Sequence, residues 1–213
     1  MRALSSDTPT TETPPKLKGQ AQRGARTREA IIDAALEVFA VRGYRSGALA
    51  EIAGKVNLTP AAILYHFGSK EALLLAVITE RDRRAGGLLT DVTRENGLES
   101  LWNLVKIAEL NEENPGLAML HTVLQAESFE PDTPAHAYFH ERSRVVRRWL
   151  EDALLAGQTQ DQVRADLDCG AKAREFVAFL EGAAVLWLMD RSVSLVDLYR
   201  NFIENFIADA SPK

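Results

Sequence analysis

Residues 59–70 read TPAAILYHFGSK. They bring a hydroxyl (Thr59), a phenol (Tyr65), an imidazole (His66) and an ammonium (Lys70) together in three turns of chain. This set suits hydrogen bonding to a polyanion. The chain contains no Gly-rich phosphate loop, no G-x-S-x-G, no H-E-x-x-H and no convincing carboxylate pair, so an enzyme is the weaker reading. Thr59 is suited to cap a helix and Pro60 to occupy its first position, where a missing N–H costs nothing. Pro60, Ala61 and Ala62 keep that helix slim, so its backbone can approach a groove wide enough for one helix. Ile63 and Phe67, four apart, turn inward and leave Tyr65 and His66 outside.

Short elements must hold this helix. Thr27 reads as an N-cap, and Ile31, Ala35, Val38 and Phe39 recur at helical spacing until Gly43. A second helix is expected from about Ala48 to Val56, with Leu49, Ile52, Ala53 and Val56 inward. Asn57-Leu58 forms the turn, since Asn tolerates left-handed backbone. Gly68 ends the helix at about His66, and Ser69 caps a fourth that runs to about Arg84. Helix, short turn and helix match helix-turn-helix geometry, in which the first helix braces the second. Residues 85–213 also read as helices, near 98–111, 116–127, 134–156, 169–189 and 195–208. Thr133-Pro134 should start the third of these and Gly157 close it; Asp168 should cap the next. The expected class is all-α, and no strand signal or internal repeat is present.

Net charge is −5, unevenly spread. Residues 16–84 hold 12 Lys/Arg against 7 Asp/Glu, and residues 85–213 hold 12 against 21. A basic front is the footprint of phosphate binding, and the acidic back implies a module with another partner. Solvated charged faces would give the same counts. The expected division is therefore a disordered Pro/Ser/Thr-rich tail at 1–15, a basic arm and DNA-binding unit at 16–84, and a helical unit at 85–213. One cysteine, Cys169, excludes an internal disulfide and a cysteine-cluster metal site, and reads as a small buried residue. No apolar run approaches a membrane span, and the first 15 residues lack a secretory apolar region, so a reducing cytoplasm is expected.

The segments TREAIIDAALEVFAVRGY (27–44) and LAEIAGKVNLTPAAILYHFGSKEALLLAV (49–77) resemble the DNA-binding domain of the TetR family. The match covers about a quarter of the chain, and its apolar positions, turn, HFGSKEAL block and spacings agree together. The resemblance implies a transcriptional regulator, most simply a repressor that binds a near-palindromic operator in double-stranded DNA as a homodimer and is released by a small-molecule effector. It implies that Thr59 caps the recognition helix and touches phosphate or a base edge, and that Pro60 and Ala61 sit where bases are read. Tyr65 would contact a base methyl or the backbone, and His66 and Lys70 would contact phosphate. Arg23, Arg26 and Arg28, with Lys16 and Lys18, could add phosphate or minor-groove contacts. Three positions depart from the family pattern. Ala48 stands where a capping Thr is usual, with Ser46 as the substitute; Asn57 replaces a turn glycine; Leu64 stands where Tyr is common.

The resemblance also assigns effector binding and dimerisation to the acidic half. Large aromatics and Met can line an apolar pocket, though each of them also suits plain core. The candidates are Trp102, Met119, His121, Phe139, Phe179 and Trp187. In the family the last two helices pair with their twofold mates, which nominates Ala183, between Gly182 and Ala184, and the amphipathic stripe Leu195, Leu198, Tyr199, Phe202 and Phe206 (continued by Ile203 and Ile207). His136 and His140 have chelating i, i+4 spacing beside Glu141, but no third ligand is evident, so neither metal nor cofactor is expected. Glu109, Glu113 and Glu127 suit a cationic effector and surface solvation equally. An all-helical carrier or adaptor without DNA binding is the alternative function.

Overall fold

The computed structural model describes residues 15–84 and 97–212, with side chains from residue 22 onward. Of the tail expected at 1–15, residue 15 opens α1 and residues 1–14 lie outside the described residues, as do the side chains of Lys16 and Lys18, the Gly86-Gly87 stop and the boundary at residue 85. The helices are α1 (Pro15–Ser46), α2 (Leu49–Lys55), α3 (Pro60–Phe67), α4 (Lys70–Arg84), a 3-10 turn (Leu98–Trp102), α5 (Asn103–Glu113), α6 (Pro115–Ala126), α7 (His136–Thr159), α8 (Cys169–Met189) and α9 (Leu195–Ala210). Among the described residues there is no strand, and no single helix is long and apolar enough to cross a membrane.

Several expected boundaries follow from local chemistry. The Thr59 Oγ accepts the Ala62 N–H at 3.2 Å, the Ser69 Oγ accepts that of Ala72 at 3.0 Å, and the Asp168 carboxylate accepts that of Ala171 at 2.9 Å. Asn57 takes φ 55°, the left-handed turn its side chain tolerates, and Gly68 takes φ 81°.

Other boundaries differ. Thr27 lies inside α1, its hydroxyl donating to the Arg23 carbonyl at 3.0 Å, so the expected arm is a helical extension. Lys, Leu, Gln, Ala and Arg favour a helix once the packed stretch from Ile31 has nucleated it. Thr133 does not cap α7. Its hydroxyl donates to the Glu130 carbonyl at 2.7 Å, and the helix opens at His136, whose Nδ1–H donates to the Ser128 carbonyl at 2.9 Å. Gly157 sits within α7, which runs on to Thr159. A Cβ there would come within 2.6 Å of Val163, so this glycine lets the chain fold back over the helix end.

Two apolar clusters organise the chain. The first joins Ile31, Phe39, Ile52, Ile63, Leu74 and Val77 of α1–α4 with Leu120 and Leu124 of α6 and Phe139 of α7. The second joins the 3-10 turn and α5 to α7, α8 and α9 around Leu101, Trp149, Leu150, Phe176 and Ile203. Helices α6 and α7 thus contribute to both clusters. The Glu112 carboxylate of α5 accepts the N–H groups of Leu195 (2.6 Å) and Val196 (3.2 Å), fixing the start of α9.

Candidate nucleic-acid interface and effector cavity

The α1–α4 unit presents α3 outward. Ile52 and Ala53 of α2 and Ile63 and Phe67 of α3 are buried, so their packing sets the angle between the two helices. That leaves Thr59, Pro60, Ala61, Leu64 and Tyr65 exposed on one face, with Tyr65 88% exposed. His66 is half-buried and meets the Tyr65 ring edge-on at 5.7 Å. A slim face with one projecting phenol is shaped for a groove and is of no use to a core.

The cations expected to help are placed differently from one another. Lys70, at the start of α4, lies 4.6 Å above the Tyr44 ring and donates to the Arg45 carbonyl at 3.4 Å. Burial pushes its pKa down, against the upward pull of Glu127. Arg28 stacks on the Phe67 ring at 4.0 Å, which puts it beside the C-terminal end of α3, and Arg23 and Arg26 are exposed on the preceding turns of α1. Ala48 stands at the N-cap of α2 without a side-chain hydrogen bond, and Ser46 supplies none.

The model of "Bacterial regulatory proteins, tetR family" matches residues 31–77. The chain is 28% identical to the HTH-type transcriptional regulator SrpR of Pseudomonas putida over 76% of its length and 75% of SrpR. It is 38% identical to the uncharacterized HTH-type transcriptional regulator TtgW, also of Pseudomonas putida, over 43% of its length and 66% of TtgW. The chain belongs to the TetR family. Its fold matches that of SmeT, described as the repressor of the Stenotrophomonas maltophilia multidrug efflux pump SmeDEF, with a TM-score of 0.71 at 18% identity, over 87% of this chain and 91% of SmeT. This TetR-family protein is a DNA-binding transcriptional regulator.

Behind the recognition unit of this TetR-family chain lies a cavity with about 760 Å³ of non-atom space, its mouth included. Helices α4 to α9 all contribute to its wall. Of the expected effector residues, His121 and Phe139 line it, their rings edge-to-face at 5.3 Å. The other four do not. Trp102 is partly buried against the second cluster, Met119 is half-buried on α6, and Phe179 stacks flat on Phe202 at 3.7 Å. Trp187 is core, with Arg191 over its ring at 3.8 Å.

The polar lining was missed: Arg81, Asn111, Thr122, Gln125, Arg142 and Glu181. One signal was available for Arg81. Leu74, Val77, Ile78 and Arg81 continue a single buried stripe of α4 at helical spacing. Arg81 donates from Nη1 to Asp82 at 3.0 Å, and Asp82 also accepts the Tyr138 hydroxyl at 2.5 Å. Burial, then Arg81, pushes His121 down to about 4, so its ring is neutral at pH 7. Glu181 lies 3.8 Å from His121; although burial pushes its pKa up, the neighbouring His121 and the charge of Arg142 hold it below the usual carboxylate value.

The glutamates considered for a cationic effector are elsewhere. Glu109 and Glu113 are exposed on α5. Glu127, just past α6, accepts the N–H groups of Tyr44 (2.5 Å) and Arg45 (3.4 Å), beside the left-handed break at Gly43 (φ 72°).

The residues expected at a dimer interface divide. Ala183, Leu195, Tyr199 and Phe206 are buried in this chain's own core, and Leu198 and Phe202 are partly buried against it. The α9 stripe is amphipathic because it packs on α5 and α8. The exposed apolar row belongs to α8 instead: Ala178, Gly182, Val185, Leu186 and Met189, with Leu186 50% and Met189 84% exposed.

Proposed function

We propose that the protein is an effector-released repressor that works as a homodimer on a near-palindromic operator. Residues 16–84 form its DNA-reading part and residues 85–213 its effector and dimerisation part. The observation that carries this reading is the course of α4. The helix starts at Lys70, next to the recognition helix, and its last turn places Arg81 in the cavity wall. A molecule that moves α4 moves α3 with it. A coupling of about 1–3 kcal/mol changes operator affinity roughly 5–150-fold.

In this reading Thr59, Pro60, Ala61 and Tyr65 meet base edges and the adjoining backbone. His66, Lys70, Arg23, Arg26 and Arg28 meet phosphates. The α8 row from Ala178 to Met189 pairs with its twofold mate, where Gly182, with open space beyond its Cα, lets the helices approach closely. A twofold dimer sets two recognition helices about 34–36 Å apart, one turn of DNA. The protein works in the cytoplasm, where its DNA lies.

Replacing Tyr65 and His66 together by Ala tests the assignment. Tyr65 is too exposed to hold the fold, so circular dichroism and unfolding should be nearly unchanged while operator affinity falls at least about tenfold. Unchanged DNA binding would refute the assignment, and unchanged effector binding without any DNA binding by the parent would favour a carrier.

A further inference from the structure

The charge inside the cavity has the opposite sign to that of the acidic half around it. Two guanidinium groups face it, Arg81 from α4 and Arg142 from α7. Arg81 is buried, and its Nε has no hydrogen-bond partner. Of its five N–H donors, only the Nη1 bond to Asp82 finds a protein acceptor among the described residues. Asp82 in turn accepts the Tyr138 hydroxyl, which leaves it less able to serve Arg81 further. Arg142 makes no hydrogen bond or ion pair among the described residues. The one carboxylate in the lining, Glu181, sits beside His121 and within the field of Arg142.

A buried, unpartnered guanidinium N–H costs free energy unless a ligand accepts from it. The planar donor fork of Arg matches a carboxylate, with two parallel hydrogen bonds. The rest of the wall joins apolar Leu104, Ile107, Phe139, Val146, Val177 and Leu180 to uncharged polar groups such as Asn111, Thr122, Gln125 and Ser143. A cation would face two guanidinium groups and only one carboxylate, Glu181.

We infer that the effector is an apolar carboxylic acid, its carboxylate held by Arg81 and Arg142 and its body lying among the aliphatic side chains. This deepens the effector-site reading above and rests on it. Because Arg81 belongs to α4, binding the acid acts on the helix that follows the recognition helix. The bond to Asp82 is the one the carboxylate competes with.

Three probes of equal chain length test the inference on the purified full-length protein without DNA: decanoate, 1-decanol and decylammonium, titrated by calorimetry at pH 7 below their aggregation limits. The expected result is that decanoate binds at least about tenfold tighter than either of the others. Arg142→Met and Arg81→Met should each remove most of that preference and leave decanol binding within about threefold of the parent. Arg142 is half-buried, so its variant reports even where loss of buried Arg81 harms folding. Equal or tighter binding of the alcohol or amine, a preference for acid that survives Arg142→Met, or no binding of any probe would overturn the inference. Operator binding is measured separately, so these outcomes leave the regulator reading standing or falling by its own test.

Discussion

Glu127, just past α6, joins the C-terminal helices to the α1–α4 unit, and a double-mutant cycle with Gly43 measures that joint. At Gly43 the backbone leaves the helix with φ 72° and ψ 175°, which turns the next amides toward the Glu127 carboxylate. Removing the carboxylate with Glu127→Ala leaves the partly buried Tyr44 amide and the exposed Arg45 amide without it, a loss of about 1–2 kcal/mol that falls mainly on the Tyr44 bond. Gly43→Ala strains the left-handed backbone by about 1–2 kcal/mol. It also drives a methyl into the Glu127 carboxylate, whose Cδ would lie 2.7 Å away, so the same two bonds break again. The single Gly43 variant should therefore lose about 2–4 kcal/mol. The double variant should lose little more, because the bonds can be lost only once and the clash is gone. Urea unfolding at fixed protein concentration, with an unchanged slope, gives the four stabilities. A coupling of about 1–2 kcal/mol is expected, and additivity within about 0.5 kcal/mol would refute the shared-bond reasoning.

Three further outcomes follow from the same contacts. The Arg83 hydrogen bond, against the upward pull of burial and with Arg84 assisting, holds Glu80 down to about 2. A depressed carboxylate stabilises the fold above its unfolded pKa of 4.5 and loses that contribution as pH falls toward 2. Glu80→Gln should cost about 1–2 kcal/mol at pH 7, discounted for the exposed Arg83, and progressively less as pH falls through about 2, as read by thermal melts. His121 works in the other direction: the unfolded ring takes a proton near 6.5 and the folded one near 4, so between those values the unfolded chain binds more protons and stability falls as pH falls. His121→Gln should flatten that slope in pH-dependent melts. Leu186→Glu places a charge in the exposed α8 row and should shift the protein from dimer to monomer in sedimentation, with the helical signal retained.

The parts of this molecule legible in its sequence are those governed by neighbours in the chain. Thr59, Ser69 and Asp168 cap because the amide they serve is three residues away, and Asn57 turns because its own side chain permits it. The first turns of α1 were hidden because Gly19 and Gly24 look like breaks, whereas a packed helix downstream extends through them. The cavity was legible only in part. Residue type nominated the large aromatics, yet Phe179 and Trp187 are held by ring and cation stacking elsewhere, while the lining gathers ordinary-looking polar residues from several helices. An amphipathic stripe states that a face is buried without stating against what. For that reason the α9 stripe suggests a partner surface although it closes this chain's own core, and on α8 the small residues Gly182, Ala183 and Ala184 point to the helix with the exposed apolar row, while Ala183 itself is buried and Val185, Leu186 and Met189 form that row.

The central claim, a dimer that reads DNA with α3, is tested most directly by selecting binding sites from a random duplex library with the purified protein. The account predicts enrichment of a near-palindrome whose half-sites are centred about one helical turn apart. Folded protein that enriches no sequence at low salt, where phosphate contacts are strongest, would contradict it.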